Sequence, residues 1–368
     1  MSYNWQQPDW PELRYELDGV SAQLLSFADH AGHVAGLLEG LPEDLWSEAV
    51  LDLMIAEAVQ SSAIEGETLD RDAVMSSIRN RLGLNPVPQP VISRMADGAG
   101  ELMVAVRKGF RETLSAETLF SWHRMLLGGT FGIRVGGWRE GGDPMQVVSG
   151  SIDRPSVHFE APPSEQVPAE MVRFIAWFND SAPGGPKAIP LAPVRSALAH
   201  LYFESIHPFE DGNGRIGRAL SEMALSQGMG RPVVLSLSRT IEAGRNAYYL
   251  ALKAAQRSNE VTAWVHWFVG VVVQAQLDAE TQVRFILRKS RFLQRFKKEL
   301  NERQLKVVRR MFEAGPEGFA GGMSARKYVA LTGASKATAT RDIQDLARLG
   351  VLNPIGGGRS TRYELGSP

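Results

Sequence analysis

Cysteine is absent from the 368 residues. That excludes a disulfide framework, thiolate catalysis and cysteine-ligated zinc, and it fits a reducing compartment. Net charge is nearly absent too: 40 Lys and Arg stand against 41 Asp and Glu, a formal −1. The chain as a whole is therefore no polyanion binder, and any affinity for nucleic acid has to be local. Long apolar runs are missing. The most apolar stretch, Val261 to Val273, is interrupted by His266 and is too short for roughly 30 Å of hydrocarbon, so it reads as a buried core helix and no membrane partner is expected. Met1 to Trp10 hold neither a basic start nor an apolar segment, so no secretory signal is expected and a cytoplasmic location is. What remains, 44% hydrophobic and 22% charged, is the composition of a globular protein of two or three domains.

The pattern is mainly helical. Trp46, Val50, Leu53, Met54 and Ala58 recur at three- and four-residue intervals as one buried stripe, and three prolines between Pro86 and Pro90 read as a linker. Helical spacing returns from Ala116 to Leu127, and the glycine-rich Gly128 to Gly142 reads as loop. Met145 to Val148 and Val157 to Phe159 are short β-favouring runs around a turn at Ser149 to Pro155, the signal of a hairpin. Helices are expected again from Glu165 to Asn179 and from Val194 to Ile206, and a further one carries Ile216, Leu220, Met223 and Ala224 on one face.

Between the last two lies HPFEDGNGRIGR, His207 to Arg218. Pro208 stops the first helix, Gly212 and Gly214 permit a tight backbone, and the next helix is expected to start near Arg215. Such a turn points backbone N–H groups at one place, where the helix dipole favours negative charge, so the stretch is a phosphate cradle. Arg215 and Arg218, three residues apart, can both reach an anion held there. Asp211 beside a polyphosphate calls for a cation between them, assigned as Mg²⁺. Histidine is the side chain suited to proton transfer near neutral pH, so His207 takes the role of general base, and Phe209 anchors the loop from inside.

Taken together these residues match H-x-F-x-[D/E]-G-N-G-R-x-x-R, and the chain resembles the Fic family. The resemblance implies a Fic-type helical core that moves AMP from ATP to a hydroxyl side chain (Ser, Thr or Tyr) of a protein. His207 would deprotonate the target and Asp211 hold Mg²⁺, while Gly212, Asn213, Gly214, Arg215 and Arg218 would bind the phosphates. It also implies a β-hairpin flap, about residues 145–160, along which the target segment, a second protein or this one, pairs by strand addition, with Val157 and His158 on its second strand. Tyr248 and Tyr249 resemble an aromatic pair near the adenine, although two tyrosines at helical spacing equally read as core.

Upstream stands SSAIEGE, where Ser61, Glu65 and Gly66 match [S/T]-x-x-x-E-[G/N]. Read plainly it is a helix end capped by Gly66. Beside the loop it resembles the family's inhibitory helix, here about residues 46–66, whose glutamate would pair with Arg218, deny it to the γ-phosphate and repel that phosphate. Trp5, Trp10-Pro11 and Tyr15 likewise resemble an N-terminal helical domain of some bacterial members. The expected layout is an N-terminal helical domain (1–105), a catalytic core (106–290) and a C-terminal domain (300–368).

The third of these reads as helices from Glu302 to Ala314, Ser324 to Leu331 and Ser335 to Leu349, followed by two short strands about Gly356 to Gly358. The order resembles a small α+β winged helix-turn-helix. Lys336, Thr338, Thr340 and Arg341 would face a partner from the third helix, and Arg359 and Arg362 from the wing. Eleven basic residues against six acidic from Glu302 onward suit DNA phosphates, while docking to a protein or pairing as a homodimer stays open. Two other functions stay open as well: removal of AMP with Glu65 positioning water, and transcriptional regulation with a nucleotide-sensing core.

Overall fold

In the computed structural model the described residues are 2–151, 154–358 and 361–366. Ile152 and Asp153, expected in the turn of the hairpin, and Arg359, expected on the wing, lie outside them. Fourteen helices and four strands follow in order among the described residues: α1 (Ser21–Glu39), α2 (Glu43–Ile64), α3 (Arg71–Arg81), α4 (Arg94–Lys108), α5 (Ala116–Leu127), β1 (Gln146–Ser151), β2 (Arg154–Glu160), α6 (Val167–Asp180), α7 (Ala192–Ile206), α8 (Asn213–Met229), α9 (Leu237–Ala243), α10 (Arg245–Ala255), α11 (Thr262–Phe296), α12 (Glu302–Phe312), α13 (Ala325–Thr332), α14 (Lys336–Arg348), β3 (Leu352–Ile355) and β4 (Arg362–Leu365). The protein is mainly α, and its residues divide into two compact units, Met1–His33 with Val50–Ala279 and Val34–Ala49 with Glu280–Pro368. α7 and α8 fall in the first unit, together with the start of α1 and the end of α2.

In the first unit α7 is the central element, with every residue from Ala192 to Ile206 buried. Arg195, Ser196, His200, Glu204 and Ser205 are therefore buried along with its apolar residues. One core cluster on its flank collects Phe174, Phe178, Tyr202, Phe203 and Phe209 with Ile216 and Leu220 of α8. Another joins Leu198 and Leu201 to Tyr248, Trp264 and Phe268. Helix starts follow local chemistry: Ser115 Oγ accepts from Thr118 N at the head of α5, and Ser236 Oγ from Arg239 N at the head of α9. β1 and β2 form an antiparallel hairpin whose register slips between Val147 and Val148, a bulge that turns its edge. The N-terminal segment binds this hairpin's exit, since Trp5 Nε1 donates to Glu160 O at 2.8 Å.

In the second unit α12, α13 and α14 bury Val307, Val308, Tyr328, Ile343 and Leu346 together, and β3 pairs antiparallel with β4. Asn301 and Gln304 cap α12 reciprocally.

Candidate active site

The C-terminus of α7 leaves carbonyls without helical partners, and a buried arginine takes them up. Arg139, 2% exposed, donates from Nε to His207 O (2.8 Å), from Nη2 to Ile206 O (3.3 Å) and Pro162 O (2.5 Å), and from Nη1 to Ser164 Oγ (2.9 Å). Burial pulls its guanidinium down to about 10. His207 is the one non-glycine residue with positive φ among those described (φ 51°, ψ 61°). It closes α7 in the left-handed position that glycine normally fills, so its backbone is held against a local cost.

From there the chain turns through Pro208 to Gly212. Phe209 is fully buried and stacks on the His123 ring at 4.2 Å. Gly136 N donates to His123 Nδ1 at 2.9 Å, which leaves Nε2 to donate to Asp211 O at 3.1 Å. Gly212 has φ +81° and precedes α8, which begins at Asn213, two residues before the expected Arg215. The Asn213 side chain ties the loop together, accepting from Phe209 N (2.9 Å) and donating to Phe209 O (2.8 Å). The Asp211 side chain is 53% exposed, lies 3.5 Å from Arg215 Nη2 and accepts from Gly212 N at 2.6 Å.

The guanidinium groups of α8's first turns are nearly sealed, Arg215 at 4% and Arg218 at 1% exposure. Arg215 Nε and Nη2 and Arg218 Nη1 are buried without a hydrogen-bond partner. Their other nitrogens meet the end of α2. Arg218 donates from Nε to Ser61 Oγ (2.9 Å) and from Nη2 to Ser61 O and Glu65 Oε1 (2.8 Å each). Burial draws Arg218 down, but Glu65 first and Tyr248 next raise it above its ordinary value. A Cβ on Gly214 would stand 2.1 Å from Glu65 Oε1, so only glycine admits this carboxylate over the loop. Gly66 (φ +85°) ends the helix, and Arg215 Nη1 is met by Glu67 Oε2 at 2.6 Å. Burial raises Glu67, offset in part by Arg215.

Glu67 and Arg139 are among the contacts that sequence reasoning did not assign. Glu67 stood inside the quoted SSAIEGE, and its spacing to Gly66 was the available signal; Arg139 sat in a loop without periodicity. The tyrosine pair divides: Tyr248 is buried and shares a 2.9 Å hydrogen bond with His200 Nε2, whereas Tyr249 donates to Ile64 O at 3.1 Å, next to Glu65. On β2, Val157 is 40% exposed and His158 Nδ1 lies 3.3 Å from Lys253 Nζ.

Two helices joined by a left-handed turn, with buried guanidinium groups at the head of the second, make up the candidate site. The Fic/DOC family model matches residues 113–225. A domain of unknown function, DUF4172, matches residues 3–84, and the C-terminal domain of the transcriptional regulator DIP2311-like matches 320–366. A Fido domain-containing protein of Dictyostelium discoideum is 34% identical over 110 residues, 26% of this chain and 75% of that protein. Protein adenylyltransferase fic-1 of Caenorhabditis elegans is 27% identical over 145 residues, 39% of this chain but 24% of that protein, so the match spans about a quarter of the worm enzyme's length. A crystallised Fic family protein of Desulfovibrio desulfuricans shares the fold at TM-score 0.52 and 19% identity over 96% of this chain and 99% of that one. The chain belongs to the Fic/DOC family.

Proposed function

We propose that the protein is an adenylyltransferase that moves AMP from ATP to a hydroxyl side chain (Ser, Thr or Tyr) of a protein and is held at rest by Glu65. The observation that carries this is the set of buried, unpartnered guanidinium nitrogens of Arg215 and Arg218 at the head of α8. Such donors cost stability unless an anion arrives to accept from them. The names of adenylyltransferase relatives support ATP as the donor of that anion.

His207 accepts the proton of the target hydroxyl while the hydroxyl oxygen attacks the α-phosphate and the bond to pyrophosphate breaks. Arg215 and Arg218 hold the leaving phosphates and stabilise charge that grows on them. The donor set fits Mg²⁺: Asp211 offers a half-exposed carboxylate on the rim of the cradle, and phosphate oxygens and water would complete the hard-oxygen shell, neutralising phosphate charge. Residues Ser61 to Glu67 oppose this chemistry, because Glu65 occupies Arg218 and Glu67 occupies Arg215. Each also presents a negative charge where a phosphate would sit.

The test is incubation of wild type and Glu65→Gly with labelled ATP and cell lysate, with mass spectrometry for AMP adducts. Adducts that rise in the variant and vanish with His207→Ala support the reading; no adduct from either protein overturns it.

A second reading has its own observation. The match of residues 320–366 to a transcriptional regulator's C-terminal domain and the exposed Lys336, Thr340 and Arg341 on α14 favour a winged helix that binds DNA and brings the enzyme to it.

A further inference from the structure

One turn before His207 on the same helix stands a carboxylate that the reading above does not use. Glu204 is 4% exposed, and its Oε2 lies 3.6 Å from His207 Nδ1, an ion-pair contact slightly too long for a hydrogen bond. His207 Nδ1 is buried and has no hydrogen-bond partner. The Glu204 Oε2 that faces it across this gap leaves an unfinished hydrogen bond, which a change of a few tenths of an ångström completes. The space around the carboxylate is specified too: a Cβ on Gly217 would stand 2.5 Å from Glu204 Oε1 and 3.3 Å from His200 Nδ1. The left-handed backbone of His207 returns its ring to this carboxylate, and Arg139 holds that backbone by its carbonyl at 2.8 Å.

We propose that Glu204 is a positioning residue for AMP transfer: it takes the Nδ1–H of His207, leaving Nε2 as the free base, and stabilises the imidazolium formed when Nε2 accepts the target's proton. The inference rests on the transferase reading. In the step the O–H bond of the target breaks, its proton goes to Nε2, the oxygen bonds to the α-phosphate and pyrophosphate leaves, while Glu204 stays ionised. The groups facing it allow that charge. Burial raises the carboxyl, but His207 and His200 on α7 and Arg218 on α8 outweigh burial and hold it below its ordinary value. Glu65 reaches Arg218 from the α2 side, and Tyr248 on α10 is held neutral by burial and by Glu204 itself.

The experiment has two arms. In the Glu65→Gly background, Glu204→Gln should lower the turnover of AMP transfer about 10- to 100-fold, part of what a positioned base supplies. It should leave ATP affinity by calorimetry within twofold. Unchanged turnover overturns the proposal, and so does a loss of turnover matched by a loss of ATP affinity, which a purely structural role would give. The second arm needs no activity and no variant: ¹⁵N NMR of the imidazoles in the wild type should show His207 protonated at Nδ1, and protonation at Nε2 overturns the proposal. Failure of Glu65→Gly to transfer AMP at all counts against the transferase reading and leaves the NMR result to decide Glu204.

Discussion

Glu65 Oε1 sits 2.8 Å from Arg218 Nη2, at a guanidinium only 1% exposed, over a glycine that leaves room for it. Removing one partner of a buried ion pair ordinarily costs about 3–5 kcal/mol, but here a phosphate can replace the carboxylate. Glu65→Gly is expected to lower the melting temperature without nucleotide, to regain it with ATP and Mg²⁺, and to raise AMP transfer. Arg218→Ala, and the double variant, should be inactive. Loss of stability in both single variants, with no gain in transfer from Glu65→Gly, would show a purely structural pair.

Glu67 makes the matching contact with Arg215. Glu67→Gln keeps the side chain's shape and removes its charge, so ATP should bind about tenfold tighter, the equivalent of one lost competing charge-assisted bond. Adenosine, which has no phosphate, should bind no tighter. Calorimetry with both ligands separates this from a general loosening of the site.

His207→Ala removes a base and no phosphate contact. It should fold, bind ATP as the wild type does, and transfer AMP about 10² to 10⁴-fold more slowly in the Glu65→Gly background. Asp211→Ala should instead abolish the dependence of ATP binding on Mg²⁺. A transfer rate within tenfold of the parent for the first, or an unchanged Mg²⁺ titration for the second, would refute the role assigned.

Glu222 gives a pH-dependent stability. Burial, and then the neighbouring Glu57, push its carboxyl up to about 8 against the pull of Arg107. Glu57 accepts from Ser236 Oγ and Ser238 N at 2.8 Å each and from Ser238 Oγ. Between the ordinary carboxyl range and about pH 8 the folded protein keeps a proton that the unfolded chain has lost, so stability falls as pH rises through that window. Glu222→Gln should therefore raise the melting temperature by more at pH 8 than at pH 5, and an equal gain at both would contradict the assignment.

On α14, Arg341 is exposed while Ala339, Ile343 and Leu346 face the core. If this helix reads DNA, binding should weaken steeply with salt, and Arg341→Ala should weaken specific binding by about 1–3 kcal/mol. No gel shift at low salt from the folded chain would point to a protein-docking role.

The helices from Ala116 to Leu127, Val194 to Ile206 and Ser335 to Leu349 were legible because apolar spacing and cap residues are local properties. The twelve-residue loop was legible because proline, glycine and arginine at those positions leave the backbone few alternatives. The Asn213 contacts with Phe209 were not legible for the opposite reason: they close only when the turn has formed. Arg139 lay in an aperiodic loop, and nothing local indicates that its guanidinium reaches the end of a helix some 67 residues later.

The sequence by itself determined a mainly helical chain and the residues of its phosphate loop, since both follow from side chains within one or two turns of each other. Only the tertiary structure decided that Glu67 closes Arg215, that Arg139 holds His207 in a left-handed backbone and that Glu204 faces its ring. Those relations join groups across packed elements, or depend on a backbone held from outside, and burial makes each of them count by removing the water that would otherwise satisfy the same charges.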